Sequence, residues 1–220
     1  MNSKYIDSLF PSNLEPTLQF IAFFTILTFI PLIVLTMTPF LRITIVLSLL
    51  RKSVGMDQGV PSLVLTGLAM ILTCFIMSNN IEEINKKAIE PLYKKEITLG
   101  QAIVNGYEPV RKRMLTQIDE RDIKFFYDLR DKPIPPSPDK IGFAELVCAH
   151  LMGELRIAFS IGFIISLPFL VIDLILANIL LALGMTSLSP SVISLPFKLM
   201  IFVAVDGWNL AIKGLVESFK

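Results

Sequence analysis

The chain has 220 residues, 53% of them hydrophobic, with a mean hydropathy of +0.66 and a net charge of +1. That composition excludes a disordered chain, and the near-neutral charge offers no basic field for phosphate, so no nucleic-acid partner is expected. The charges are unevenly placed: of 20 basic and 19 acidic residues, twelve of each sign lie in residues 82–145.

At the start of the chain Lys4 is offset by Asp7 and Glu15. The apolar run that follows exceeds the roughly 7–15 residues of a signal h-region, so the segment does not read as a cleavable signal. Residues 17–41 and 58–81 contain no Asp, Glu, Lys or Arg. Each is longer than the about 20 residues a helix needs to cross a bilayer. Pro31 and Pro39 interrupt the first of these spans, and each is expected to bend or end a helix. Between the two spans Arg42, Arg51 and Lys52 outweigh Asp57, which places that connection on the cytoplasmic side and the following insert, with both termini, on the other. Cys74 reads as a small buried thiol within the second span. It has no spacing to Cys148 that suggests redox or metal chemistry.

Residues 82–145 form a water-exposed, electrically balanced insert, expected to lean on neighbouring helices or subunits because it is small for a core of its own. Thr98-Leu99-Gly100-Gln101 has capping-box spacing and opens a helix. Residues 119–130 (DERDIKFFYDLR) read as a charged helix with Phe125 and Phe126 as its packing residues. Pro133, Pro135, Pro136 and Pro138 make a stiff, extended linker. A further helix begins near Gly142 and runs through Glu154 and Arg156 into the third span.

That third span, residues 157–183, holds Asp173 in its middle and Pro168 before it. At 100° per residue Gly162, Ser166, Asp173, Ala177 and Gly184 share one face, and small residues let membrane helices approach closely. An uncharged turn, residues 184–191, leads to the fourth span at 192–216, with Pro190 and Pro196 near its start. Here Lys198, Asp206, Asn209 and Lys213 fall in an arc of roughly 80°, with Ser194 beside them and Trp208 pointing away. An ionisable group at bilayer depth costs roughly 2.5–3.5 kcal/mol, so this stripe is expected to be buried. It serves either an aqueous path or a set of ion pairs between helices. Asp173 is a counter-ion candidate for Lys198, and the sequence does not choose between that pairing and ones with Asp206 or Arg42. A role in packing and assembly is the expectation for Asp173, Lys198 and Asp206.

No active site is legible. His150 is the only histidine, and Glu145, His150 and Glu154 lack zinc-protease spacing. There is no Gly-rich phosphate loop and no G-x-S-x-G elbow, so no enzyme, cofactor or metal is expected. The rival class is a small ion-coupled secondary transporter using Asp173, Lys198 and Asp206 at mid-membrane, although no internal repeat supports it.

Three blocks carry a resemblance. They are residues 37–77 (MTPFLRITIVLSLLRKSVGMDQGVPSLVLTGLAMILTCFIM), 154–185 (ELRIAFSIGFIISLPFLVIDLILANILLALGM) and 189–216 (SPSVISLPFKLMIFVAVDGWNLAIKGLV), with a weaker echo in PVRKRMLTQIDERDIKFF. In these blocks, above all LPFLVIDL and SLPFK with VDGWNL, the chain closely resembles the SctR/FliP family of type III secretion export-apparatus proteins. The resemblance implies an all-α, membrane-associated protein of four long apolar, proline-bent helices and a helical soluble insert. Its parts are an N-terminal hairpin (residues 1–81), a periplasmic insert (82–153) and a C-terminal hairpin (154–220). It further implies a homo-oligomer, a pentameric ring joined by SctS-like and SctT-like proteins and other inner-membrane export components. That ring forms the entry portal for unfolded secreted proteins in the bacterial inner membrane, raised largely out of the bilayer plane. On this reading Gly184, Met185, Thr186, Ser187 and Leu188 form the pore constriction. Asp173, Lys198, Asp206, Asn209, Lys213 and Arg42 line buried helix faces. The lack of a signal and the single methionine in the 184–188 turn lean toward the injectisome branch. Cys148 and His150 depart from the family's usual residues and receive no role.

Overall fold

The computed structural model describes residues 24, 28–29, 31–56, 59–185 and 188–219. Lys4, Asp7, Glu15, the start of the first span, Asp57, Gln58, Thr186 and Ser187 lie outside the described residues. Among those described the structure is all helical, without a strand. The helices are α1 (Pro31–Met37), α2 (Phe40–Val54), α3 (Ser62–Ile76), α4 (Ser78–Tyr93), α5 (Leu99–Gln117), α6 (Glu120–Asp128), α7 (Phe143–Ala182), α8 (Pro190–Ala204) and α9 (Gly207–Glu217). They fall into two compact units: Cys74–Gly153 with the described residues up to Pro39, and Phe40–Thr73 with the chain from Glu154 onward.

One helix, α7, with 40 residues, is by itself long and apolar enough to cross a membrane among the described residues. The other expected spans qualify only as broken pairs, α1 with α2, α3 with α4, and α8 with α9. Pro39 does separate two helices, but Pro168 and Pro196 lie inside α7 and α8. The last break falls instead at Val205–Asp206, where α8 and α9 meet at 65° and no proline stands. Asp206 takes the left-handed conformation (φ 50°), which ends the α8 hydrogen-bond ladder. Asp tolerates that region better than most residues.

In the first unit α4 and α5 pack together, and an asparagine serves a carbonyl that a proline leaves without its helical donor. Pro91 has no N–H for the Lys87 carbonyl, and a π-helical turn, Asn85–Ile89, precedes it. The Asn105 amide of α5 donates to that Lys87 carbonyl at 3.3 Å. Asn80 adds a second link between the two helices, donating to the Pro109 carbonyl at 3.3 Å. The capping box forms as the spacing predicts: Gln101 N–H donates to Thr98 Oγ1 (3.3 Å), and Thr98 N–H to Gln101 Oε1 (3.0 Å). Arg111 Nη2 gathers the carbonyls of Pro138, Asp139 and Ile141, each at 3.0 Å, and so ties down the proline linker.

Two expectations are corrected here. In α6 the buried aromatic is Tyr127, with Ile123 one turn earlier, while Phe125 is exposed and Phe126 half-buried. Tyr127 suits the site because its ring joins Met37, Met114, Ile141 and Leu146 while its hydroxyl accepts from Gly142 N–H at 3.0 Å. Cys74, read as buried, is exposed, as is Cys148.

In the second unit α2 supplies the spine. Arg42, Ile43, Val46, Leu47, Leu50 and Val54 recur at i, i+3 and i+4 spacing and are all buried. Arg42 and Arg51, read as part of a connection between spans, are thus helical, and the actual turn begins only at Gly55. α7 approaches α2 closely at Gly162, where an added Cβ would stand 2.3 Å from Leu49 Cδ1 and 3.2 Å from Leu49 Cβ. That contact sets the sign of a substitution. Gly162→Ala should lower stability by about 1–3 kcal/mol through overpacking, despite the better helix propensity of Ala. Gly67→Ala, where a Cβ meets nothing within 4 Å, should instead gain up to about 1 kcal/mol. Thermal unfolding midpoints of the two detergent-solubilised variants check this.

Candidate functional site

The second unit holds two buried cations, and both are bound in the same way. Arg42 is fully buried in the first turn of α2. Its guanidinium meets Glu154 of α7 as a fork: Nε donates to Oε2 at 2.8 Å and Nη2 to Oε1 at 2.5 Å. Its Nη1 reaches the carbonyl of Ser218 (2.9 Å) and the Ser218 hydroxyl (3.1 Å), just past the C-terminal end of α9. The Phe219 ring lies 3.9 Å from Arg42 Cζ. A bidentate pair with low solvent access is the strong form of such a bond. The helix C-terminus adds attraction through its unsatisfied carbonyls and dipole.

Lys198 of α8 repeats the scheme. Its ammonium donates to Asp173 Oδ2 of α7 at 2.6 Å and to the Ser53 carbonyl, in the last turn of α2, at 3.1 Å. The Ser194 hydroxyl, one turn before Lys198, donates to Asp173 Oδ1 at 2.6 Å. The Ser53 and Ser166 hydroxyls then stand 2.5 Å apart, each also within reach of the carbonyl four residues back in its own helix, so their two protons serve two of these three contacts at a time. The small-residue face of α7 is therefore a polar seam against α2 and α8 through Ser166 and Asp173. Ala177 is half-buried and Gly184 exposed.

The structure chooses among the pairings the sequence left open. Asp173 pairs with Lys198, and Arg42 pairs with Glu154, a residue that sequence reasoning placed on the helix without assigning it a partner. The signal was there: Glu154 opens an apolar block and has no neutralising residue of opposite sign on the same face. Asp206, Asn209 and Lys213, expected on a buried face, are all exposed in the single chain. The stripe assumed one continuous helix, and the elbow at Asp206 divides it. Asn209 Nδ2 donates to Asp206 Oδ2 at 3.2 Å across the start of α9. At the same elbow a Cβ on Gly207 would fall 2.2 Å from the Phe202 ring, so glycine admits that ring, and Trp208 meets it edge-on at 5.4 Å. In the 184–188 turn Gly184 has φ 72°, Met185 and Leu188 are exposed, and Thr186 and Ser187 are not described.

These features define an all-α, membrane-associated protein whose apolar helices are held by buried, helix-capping ion pairs. A FliP family model matches residues 23–215. The flagellar biosynthetic protein FliP of Pectobacterium carotovorum subsp. carotovorum is 44% identical over 203 residues, covering 92% of this chain and 79% of that protein. The protein of the same name from Bacillus subtilis (strain 168) is 40% identical over 209 residues, covering 95% of each. A third, from Buchnera aphidicola subsp. Acyrthosiphon pisum (strain APS), is 45% identical over 202 residues, and the chain spans about half its length, 53%. The chain belongs to the FliP family. The lean toward the injectisome finds no support in these relatives, whose names are flagellar. One methionine in a short turn is a weak basis for separating two branches.

The Arg42 site generates a double-mutant test. Arg42→Met alone should cost about 3–5 kcal/mol, because Glu154 is left buried and uncompensated. Arg42→Met with Glu154→Leu should recover a large part of that loss. Unfolding midpoints of the two single variants and the double variant measure the coupling. Strict additivity of the single effects would contradict it.

Proposed function

We propose that this chain is a core component of a flagellar type III export gate in the bacterial inner membrane. Copies of it form a ring, of five by family resemblance, with SctS-like and SctT-like proteins and other inner-membrane export components. Unfolded proteins enter through that ring, and much of the assembly lies on the periplasmic side. The observation that carries this reading is the family match over residues 23–215. The physics is compatible: buried pairs hold the helices of the second unit in one register, while large apolar side chains such as Phe163, Leu174, Met200 and Val203 stay exposed for neighbours. Lys198 and Asp173 are bonded to each other and to serine groups. That suits assembly better than ion coupling.

Co-expression with the two small export partners, followed by native mass measurement in mild detergent, should yield a complex with several copies of this chain. A purely monomeric species would overturn the reading.

The constriction is assigned to the 184–188 turn. A flexible thioether and small groups seal around chains of varied shape without holding any one tightly. Deleting Met185 to Leu188 should leave assembly at normal yield and make the membrane leaky to small ions. Unchanged conductance in an assembled deletion variant would place the seal elsewhere.

A further inference from the structure

Pro133, Pro135, Pro136 and Pro138 stiffen the connection from α6 to α7. Each proline holds φ at about −65°, and the residue before a proline is pushed to extended backbone. Lys132, Ile134, Pro135 and Ser137 all precede one, and Ser137 is extended, with φ −131° and ψ 137°. Sterics alone therefore make residues 132–137 an extended strip of polyproline II type.

Both ends of the strip are pinned by the rest of the first unit. At one end Arg130 Nη1 pairs with Glu145 Oε1 at 2.5 Å, and Lys132 N–H donates to the Tyr127 carbonyl at 3.1 Å. At the other, Arg111 Nη2 holds the carbonyls of Pro138, Asp139 and Ile141, and Gly142 N–H donates to the Tyr127 hydroxyl.

Between the pins the strip faces outward. Three residues make one turn of such a helix, so Pro133 and Pro136 share an edge in P-x-x-P spacing. Both are exposed, Ile134 is 48% exposed beside them, and Pro135 and Ser137 are half-buried at the back. Among the described residues the carbonyls of Pro133, Ile134, Pro135 and Pro136 receive no hydrogen bond. The strip thus presents two proline rings one turn apart together with open acceptors. Held at both ends, it has already lost the conformational freedom that a loose peptide gives up on binding.

These features select the kind of partner. Hydrocarbon would leave the open carbonyls unpaired, so a lipid surface does not fit. Asp131 and Lys132 cancel in charge, as do Asp139 and Lys140, so a strongly charged partner is not favoured. Proline rings one turn apart fit between flat aromatic side chains, and Trp N–H and Tyr O–H groups can donate to the carbonyls beside them. A second copy of this chain does not supply such a groove. Its exposed donor-bearing aromatic among the described residues is Tyr93 alone, and one ring makes no groove.

We propose that residues 132–137 are a docking strip for a different protein, one whose groove of Trp and Tyr side chains reads Pro133, Ile134 and Pro136. The test uses the full chain in its native host, with p-benzoylphenylalanine in place of Lys132 as a photo-crosslinker. A discrete protein adduct should form, and its linked peptide should map beside a cluster of Trp or Tyr side chains on the other protein. Pro133→Ala with Pro136→Ala should lower the adduct by at least about tenfold. Ile134→Asp keeps all four prolines and changes an exposed position, so it should hold the unfolding midpoint and give the same loss. An adduct to lipid or to a second copy overturns the proposal, as does one that maps away from any aromatic side chain. Normal adduct yield in Ile134→Asp, or no adduct at all, also overturns it and leaves the strip a stiff spacer.

Discussion

Arg42 is the constraint on which the second unit depends. An isolated guanidinium in a protein interior is prohibitively expensive, so everything it touches must be in place at once. Glu154 supplies the charge, the end of α9 supplies a carbonyl and a hydroxyl, and Phe219 covers the face of the cation. Three segments far apart in sequence are thereby brought to one point. Lys198 repeats the arrangement with Asp173 and the last turn of α2. In each case one cation answers two needs, a lone carboxylate and a helix C-terminus with unserved carbonyls. This is why charges can persist inside helices that are otherwise nearly all apolar.

Packing around these pairs relies on residues with little or no side chain. Gly162 lets α7 lie against Leu49, and Gly207 lets the Phe202 ring lie over the start of α9. Phe202 in turn meets Trp208 edge-on and Phe169 at 6.5 Å between centroids. The elbow therefore comes from a left-handed Asp followed by a Gly that admits an aromatic ring. Its 65° bend owes nothing to proline.

Much of this was legible, for physical reasons that also explain what was not. Local signals translated directly: the Thr98–Gln101 box forms, and the long helix expected from near Gly142 begins at Phe143 and carries through Glu154. Hydropathy found the apolar stretches but not their breaks, because a break like Asp206 depends on a side chain packing from another turn. Proline was a poor guide, since Pro168 and Pro196 sit in helices whose neighbours tolerate the lost donor. The Arg42–Glu154 pair spans 112 residues, so a lone glutamate at the edge of an apolar block marks the need for a cation without saying which one. In α6 the choice of Tyr127 over Phe125 and Phe126 turned on a hydroxyl partner, Gly142, that lies beyond the proline linker.

The charges of the fourth apolar stretch are consequently two sets with different physics. Before the elbow Lys198 and Ser194 are buried and committed to Asp173. After it Asn209, Lys213 and Glu217 recur every four residues along the exposed side of α9, beside the apolar Leu210 that borders an apolar groove between α7 and the α8–α9 elbow. A helix bathed in lipid would not carry that polar row, since each charge at bilayer depth costs several kcal/mol. A helix in open water would not hold Leu210 and Val205 at the lip of an empty apolar groove. An apolar strip flanked by a polar rim is instead how interfaces between proteins are built. On the proposed reading α9 therefore lies at the margin of a contact, with its polar row toward water or headgroups and its apolar edge toward a neighbouring protein of the export gate.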